Sequence, residues 1–328
     1  MKKILVVFTG GTFSMMIDRS TGGAIPRYSG GELLDMIPEA KKLAEIEHYD
    51  FGKYPGPHVT PKLMLQLSQK IKQLLAEKYY DGVIVTHGTD TLEETAYFLD
   101  LTINTDIPIV MIGSMKNSSE PDWDGPRNLI DAIHICLSDN SKNLGVLVCL
   151  NGEINAASEV TKIYSDSVES FKSLDFGSLG FVQNGRVIYN RLPHYLEKIE
   201  TDVIDDNVDM LTVYAGMNEK FFKLSADSDV SGIVVEALGV GNVPPPAFEG
   251  IKYAVEKGIP VVLTSRCPAG ETDYIYSYPG AGKHLHDLGV IFADYINGQK
   301  ARIKLIIVLG KTRDINQIRK YFEASRNK

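Results

Sequence analysis

Short, wholly apolar runs that end in glycine or hydroxyl residues punctuate the first half of the chain. Ile4–Phe8 runs into Thr9-Gly10-Gly11, and Asp81–Thr86, Pro108–Ile112 and Leu144–Leu150 repeat the pattern. A run that is apolar at every position, rather than at every second one, predicts a strand buried on both faces, as in a parallel sheet. Between these runs the apolar positions recur with helical spacing over Pro61–Lys78, opened by Thr60-Pro61, and over Leu92–Leu101 and Gly125–Leu137. Strands alternating with helices predict an α/β fold with a doubly wound, mostly parallel sheet.

The helical rhythm weakens from Val160 to Arg191, where Gly180–Arg191 is expected to be a hairpin turning at Asn184-Gly185. The acidic stretch 197–209 is expected to be a linker. Beyond it the alternation resumes with strands at Met210–Tyr214, Gly232–Glu236 and Pro260–Thr264 and helices at Pro246–Lys257, Gly298–Leu309 and Arg313–Ser325. The expected organisation is a larger N-terminal catalytic α/β domain (1–196), the linker, and a smaller C-terminal α/β domain (210–328). No internal repeat or low-complexity segment interrupts it.

Composition narrows the function. The chain has 328 residues, 44% hydrophobic and 23% charged, enough for a sizeable core and too apolar for disorder. A formal net charge of −8 without any basic cluster argues against nucleic acid as a partner. Cys136, Cys149 and Cys267 are too scattered for a zinc or CxxC pattern. The first two lie in apolar runs, where a buried free thiol is expected. The opening Met1-Lys2-Lys3 and its apolar run are too short for a secretory signal, and no stretch is long enough to span a membrane, so a cytoplasmic protein is expected.

Ligands of open parallel sheets gather beyond the carboxyl ends of the strands. Three apolar runs end in sequence suited to such a site: Thr9-Gly10-Gly11-Thr12, Thr86-His87-Gly88-Thr89-Asp90-Thr91 and Gly113-Ser114-Met115. The glycine pair lets the backbone before Thr12 turn sharply and approach a ligand closely. A threonine hydroxyl is a poor nucleophile until a base takes its proton, and Lys162 in Val160-Thr161-Lys162 is a candidate base if partly buried. Asp90 could receive a substrate ammonium or hold that lysine. Taken singly these motifs have plainer readings. Gly10-Gly11-Thr12 lacks the Gly-Lys-Ser/Thr ending of a phosphate loop, His87-Gly88-Thr89-Asp90 reads equally as a tight turn, and Gly239-Val240-Gly241 is an incomplete dinucleotide motif. His284 and His286 fall short of a metal site and suit a helix surface.

In combination the motifs are far more specific. Thr9-Gly10-Gly11-Thr12-Phe13-Ser14, Thr86 to Ala96, Gly113-Ser114-Met115, Val160-Thr161-Lys162 with Phe171-Lys172-Ser173, Tyr214-Ala215-Gly216-Met217 and Gly239-Val240-Gly241-Asn242 together resemble, in order along the whole chain, the bacterial L-asparaginase family. The resemblance implies an amidohydrolase that releases ammonia from asparagine through an acyl-enzyme on Thr12, with Thr89, Asp90 and Lys162 as a second catalytic group. It implies Gly11, Gly56, Pro57, His58, Gly88, Ser114 and Asn242 as substrate-binding residues and backbone donors at Gly11–Thr12 and Gly88–Thr89 as oxyanion stabilisers. It implies no cofactor or metal, a small amino-acid amide as substrate, and a homo-oligomer, dimer or tetramer, in which Asn242 reaches a neighbouring site. The lack of a signal segment resembles the family's cytoplasmic subgroup.

Two places depart from the family. The lid after the nucleophile has Gly23-Ala24-Ile25-Pro26 where members often carry a tyrosine, with Tyr28 out of register. Before Thr60-Pro61, where members carry Asp-Ser to hold the substrate carboxylate, the chain reads Tyr54-Pro55-Gly56-Pro57-His58-Val59. Two other readings follow. The lid 17–24 also resembles the amidase subunit of archaeal tRNA-dependent amidotransferases, which carry an additional N-terminal domain and act on a tRNA-linked amide. Alternatively the chain keeps the fold as a non-catalytic binding protein, though binding alone needs no activated nucleophile.

Overall fold

The computed structural model describes residues 1–323. It has two compact units, one comprising Met1–Glu200 and the other beginning at Thr201.

The first unit is built on an eight-stranded sheet. Its spatial order is Arg186–Tyr189, Gly180–Gln183, Glu153–Ala156, Val146–Leu150, Ile109–Ile112, Gly82–Thr86, Lys3–Gly10 and Glu45–Tyr54. The five strands from Val146–Leu150 to Glu45–Tyr54 run parallel, and the other three continue the sheet antiparallel. The unbroken apolar runs have the expected cause. Along Lys3–Gly10, Ile4, Val6 and Phe8 join a core with Leu129 and Ile133 of the helix Gly125–Leu137. Leu5 and Val7 join the opposite core with Leu67 and Ile71 of Pro61–Glu77 and Leu92, Ala96 and Leu99 of Leu92–Thr102. Side chains alternate across a strand, so helices on both faces require an apolar residue at every step.

Local signals mark several boundaries. Thr60 caps the helix Pro61–Glu77, its hydroxyl accepting from the Leu63 N–H at 3.3 Å. The hairpin turns at Asn184 (φ 50°) and Gly185 (φ 73°), the left-handed pair that a two-residue turn needs.

The second unit has a four-stranded parallel sheet in the order Val208–Thr212, Gly232–Ala237, Val261–Ser265 and Ile291–Phe292. Its first strand starts two residues ahead of the expected Met210, because Val208 is buried and pairs with Gly232. The acidic stretch is also less free than a linker: Ile199 is buried, and its N–H donates to the Leu101 carbonyl at 2.7 Å. The last helix spans Ile315–Glu323 and starts after Asp314, whose carboxylate accepts from the N–H groups of Asn316 and Gln317 at 2.8 and 3.2 Å. The expected continuation to Ser325 lies outside the described residues.

Several elements escaped the periodicity. Glu45–Tyr54 alternates weakly and carries charges, while the helices Gly30–Met36, Pro38–Leu43, Lys220–Asp227 and Gly282–Leu288 are too short for a clear period.

Candidate active site

The site begins where two adjacent parallel strands end. Lys3–Gly10 finishes in Gly10 (φ 110°) and Gly11 (φ 73°), conformations that favour glycine. Thr12 follows at once and opens a 3₁₀ turn, Thr12–Ser14, closed by the Ser14 N–H donating to the Gly11 carbonyl at 3.0 Å. Side chains are excluded by contact as well as by φ. A Cβ on Gly11 would stand 2.4 Å from the Gly88 nitrogen, and one on Gly88 would stand 2.7 Å from both the nitrogen and Cα of Gly56. Three backbones, from the loops after Lys3–Gly10, Gly82–Thr86 and Glu45–Tyr54, therefore touch with nothing between them. The third glycine-ended run joins them, since a Cβ on Gly113 would lie 2.8 Å from Cγ2 of Thr89.

Thr12 is half-buried beside this contact, and Thr89 is buried. The backbone N–H groups of Thr12 and Thr89 meet no acceptor among the described residues, leaving both as available donors. Lys162 arrives in the two-residue strand Thr161–Lys162, paired antiparallel with Phe171–Lys172 outside the main sheet. Its ammonium donates to the Thr89 hydroxyl at 3.0 Å and to the Asp90 carboxylate at 2.9 Å. The Lys162 side chain is 16% exposed and that of Asp90 58%. An ion pair so open to water adds little stability, so its effect is to hold the lysine against Thr89.

Sequence reasoning missed Glu93, a buried carboxylate in the first turn of Leu92–Thr102 that accepts from the Lys162 backbone N–H at 3.2 Å. No local signal singles it out, since acids are common in the first turn of a helix.

The other candidates are placed unevenly. Gly56 is buried in a 3₁₀ turn, Gly56–His58, and its carbonyl accepts from the Thr91 hydroxyl at 2.8 Å. Pro57 and His58 are exposed on the same turn. Ser114 is fully buried, and its hydroxyl is committed to Asp124 at 2.6 Å and to the Lys116 carbonyl, so only its backbone is left to meet a ligand. Asn242 belongs to the second unit, in the loop after Gly232–Ala237, where its side-chain oxygen accepts from the Gly282 N–H at 3.3 Å.

The lid is an exposed antiparallel hairpin, Met15–Ile17 with Ala24–Pro26. Ala24 stands opposite Ile17, and Tyr28 packs instead on the core containing Phe8 and Leu33, lining with Asp50 and Lys53 a cavity of about 200 Å³. Cys136 and Cys149 are buried free thiols whose pKa values burial pushes well up, leaving them unreactive. His284 and His286 lie on the short helix Gly282–Leu288.

Comparison with known proteins agrees with this architecture. A solved structure described as a probable cytoplasmic L-asparaginase from Campylobacter jejuni superposes with a TM-score of 0.88 at 32% identity, covering 98% of this chain and 99% of that one. An L-asparaginase of Bacillus licheniformis is 34% identical over 320 residues, 95% of this chain and 97% of the relative. A probable periplasmic L-asparaginase of Haemophilus influenzae is 34% identical over 331 residues, 98% and 92% of the two chains. The N-terminal asparaginase family model matches residues 3–195, and the glutaminase/asparaginase C-terminal model matches residues 207–322. The fold is that of a two-domain hydrolase acting on amides. The chain belongs to the asparaginase family.

His87 gives the site a pH signature. Its ring is buried, and loss of hydration lowers its pKa from 6.5 to about 4, against a smaller opposing effect from the Gly88 carbonyl. As pH falls below 6.5 the unfolded chain takes up this proton and the folded chain does not. The contribution is therefore complete above about pH 6.5 and lost as pH drops through about 4, amounting to roughly 3 kcal/mol. Urea denaturation at pH 7 and pH 4.5 should show a smaller acid loss in His87→Gln than in the wild type; equal losses would exclude His87 as a source.

Proposed function

We propose that this protein hydrolyses the side-chain amide of L-asparagine to L-aspartate and ammonia, through an acyl-enzyme on Thr12. The observation that carries the reading is the Lys162 ammonium, 3.0 Å from the Thr89 hydroxyl and 2.9 Å from Asp90, on the glycine contact that also bears Thr12. The Thr12 oxygen bonds to the amide carbon while its proton is drawn off, and the C–N bond breaks as the nitrogen leaves, protonated, as ammonia. Water then adds to the ester carbon and the Thr12 hydroxyl is restored. Lys162 is the base, and Thr89 relays to it. Charge gathers on the former amide oxygen, and the unengaged N–H groups of Thr12 and Thr89 are the donors available to it. Asp90, open on one side, offers its carboxylate to the substrate ammonium. Removing the nucleophile should leave the fold and erase the chemistry: Thr12→Ala is expected to lower ammonia release from L-asparagine by several orders of magnitude with an unchanged circular dichroism spectrum. A folded Thr12→Ala enzyme of undiminished rate would exclude Thr12.

Substrate recognition is expected to be the weaker half of this enzyme. A serine hydroxyl on a carboxylate is a charge-assisted bond of about 1.5–3 kcal/mol, or about 10–150-fold in affinity, and Gly56 has none to offer. We propose a wild-type KM for L-asparagine in or above the millimolar range, with an amide blocked at its α-carboxylate turned over better. A Cβ at Gly56 would meet Cβ of Asp90 at 3.3 Å and the Asp90 nitrogen at 3.4 Å, so the test requires the Asp90 backbone to give by a few tenths of an ångström. Gly56→Ser should lower the KM for L-asparagine about tenfold and change kcat less. Steady-state kinetics giving a low micromolar wild-type KM would mean that backbone groups or His58 already hold the carboxylate.

The resemblance supports a homo-oligomer, and the exposed apolar segment Ile275, Tyr276 and Tyr278 in the second unit suits a subunit contact. No helix among the described residues is long and apolar enough to cross a membrane. The likeness to the Campylobacter jejuni protein supports a cytoplasmic location, and the periplasmic name of the Haemophilus influenzae relative opposes it. Light scattering that finds an active monomer, or cell fractionation that finds the protein in the periplasm, would overturn these two assignments respectively.

A further inference from the structure

Amide hydrolysis as proposed above uses no imidazole, yet His87 lies buried at the centre of the site. Its Nδ1 is 2.8 Å from the Gly88 carbonyl oxygen and its Nε2 is 3.0 Å from the Thr95 hydroxyl. A carbonyl can only accept, so Nδ1 carries the ring proton. In a neutral ring Nε2 is then an acceptor, and Thr95, on the helix Leu92–Thr102, donates to it. Both ends of the imidazole are thereby assigned.

What this bond does follows from peptide geometry. The Gly88 carbonyl and the Thr89 N–H belong to one peptide unit, and the chain has no cis peptide bond among the described residues. In a planar trans unit the two groups point in opposite directions. Drawing the carbonyl onto the buried ring therefore aims the Thr89 N–H away from it. Position 88 must be glycine because its backbone rests on Gly56 and Gly11. The same lack of a side chain leaves the adjoining peptide free to rotate. His87 supplies the restraint that residue 88 cannot supply for itself.

We propose that His87, its tautomer set by Thr95, is a positioning residue that locks the Gly88–Thr89 peptide so that the Thr89 N–H is presented to the substrate oxygen in the transition state. This rests on the amidohydrolase reading. A misdirected donor forfeits a hydrogen bond made only in the transition state, so the loss falls on kcat and not on ground-state binding.

The test compares wild type, His87→Leu, His87→Gln and Thr95→Val, with L-asparagine as substrate and L-aspartate as a ground-state ligand. His87→Leu fills the space without a donor, and kcat should fall about 10–100-fold while KM and the Kd for L-aspartate stay within about twofold. His87→Gln returns an amide N–H and should recover part of the loss. Thr95→Val, close in shape, should lower kcat several-fold. In the wild type, ¹⁵N imidazole NMR should show the proton of His87 on Nδ1. A wild type that releases no ammonia from any amide overturns the amidohydrolase reading. An active wild type beside a folded His87→Leu with full kcat, or a His87 proton found on Nε2, overturns this inference alone. Should His87→Leu fail to fold, Thr95→Val with undiminished kcat overturns it equally.

Discussion

Direct contact between three backbones is the constraint on which the site depends. Where Gly11, Gly88 and Gly56 meet, a single added carbon would sit 2.4–2.7 Å from the neighbouring chain at the first two positions. Separations that short allow no adjustment by side-chain rotation. The turns at Gly11, Gly88 and Gly56 are consequently held in one spatial relation, and Thr12, Thr89 and Asp90 inherit it. Catalytic geometry of this sort is better held by backbone than by long side chains, whose rotamers must first be ordered.

That contact is in turn delivered by the sheet. Neighbouring parallel strands point their carboxyl ends the same way, so Lys3–Gly10, flanked by Glu45–Tyr54 and Gly82–Thr86, sends all three turns to one edge. The apolar burial on either face fixes the strands in register, and a slip of one residue would exchange the two cores. Lys162 is the exception, coming from a short antiparallel ribbon outside the main sheet. Its backbone bond to the buried Glu93 ties that ribbon to the same helix that carries Thr95.

Much of this was legible in the sequence, for physical reasons that differ by region. Strands buried on both faces announce themselves by unbroken apolar runs, while Thr60-Pro61 marks a helix start and Asn184-Gly185 a hairpin turn through local chemistry that needs no tertiary context. Glu45–Tyr54 was illegible because it is an edge strand, half-exposed and charged, and its place was decided by pairing with Lys3–Gly10. At the site, residues that must be small or hydroxylated stood out as motifs. Glu93 and Thr95 did not, since an acid and a threonine early in a helix are ordinary until the fold shows what they face. Ser114 illustrates the converse: its hydroxyl resembled a ligand contact, while burial had already assigned it to Asp124.

The same edge strand has a bearing on how the protein behaves when concentrated. Glu45–Tyr54 is ten residues long and forms one margin of the eight-stranded sheet, a length at which an open edge can template another chain. Glu45, Glu47, Asp50 and Lys53 lie along it, with Glu47 paired to Lys3 and Lys78 and Asp50 accepting from the Gly30 N–H. A second chain pairing there would have to take these charged side chains out of water, so the strand carries its own deterrent to polymerisation.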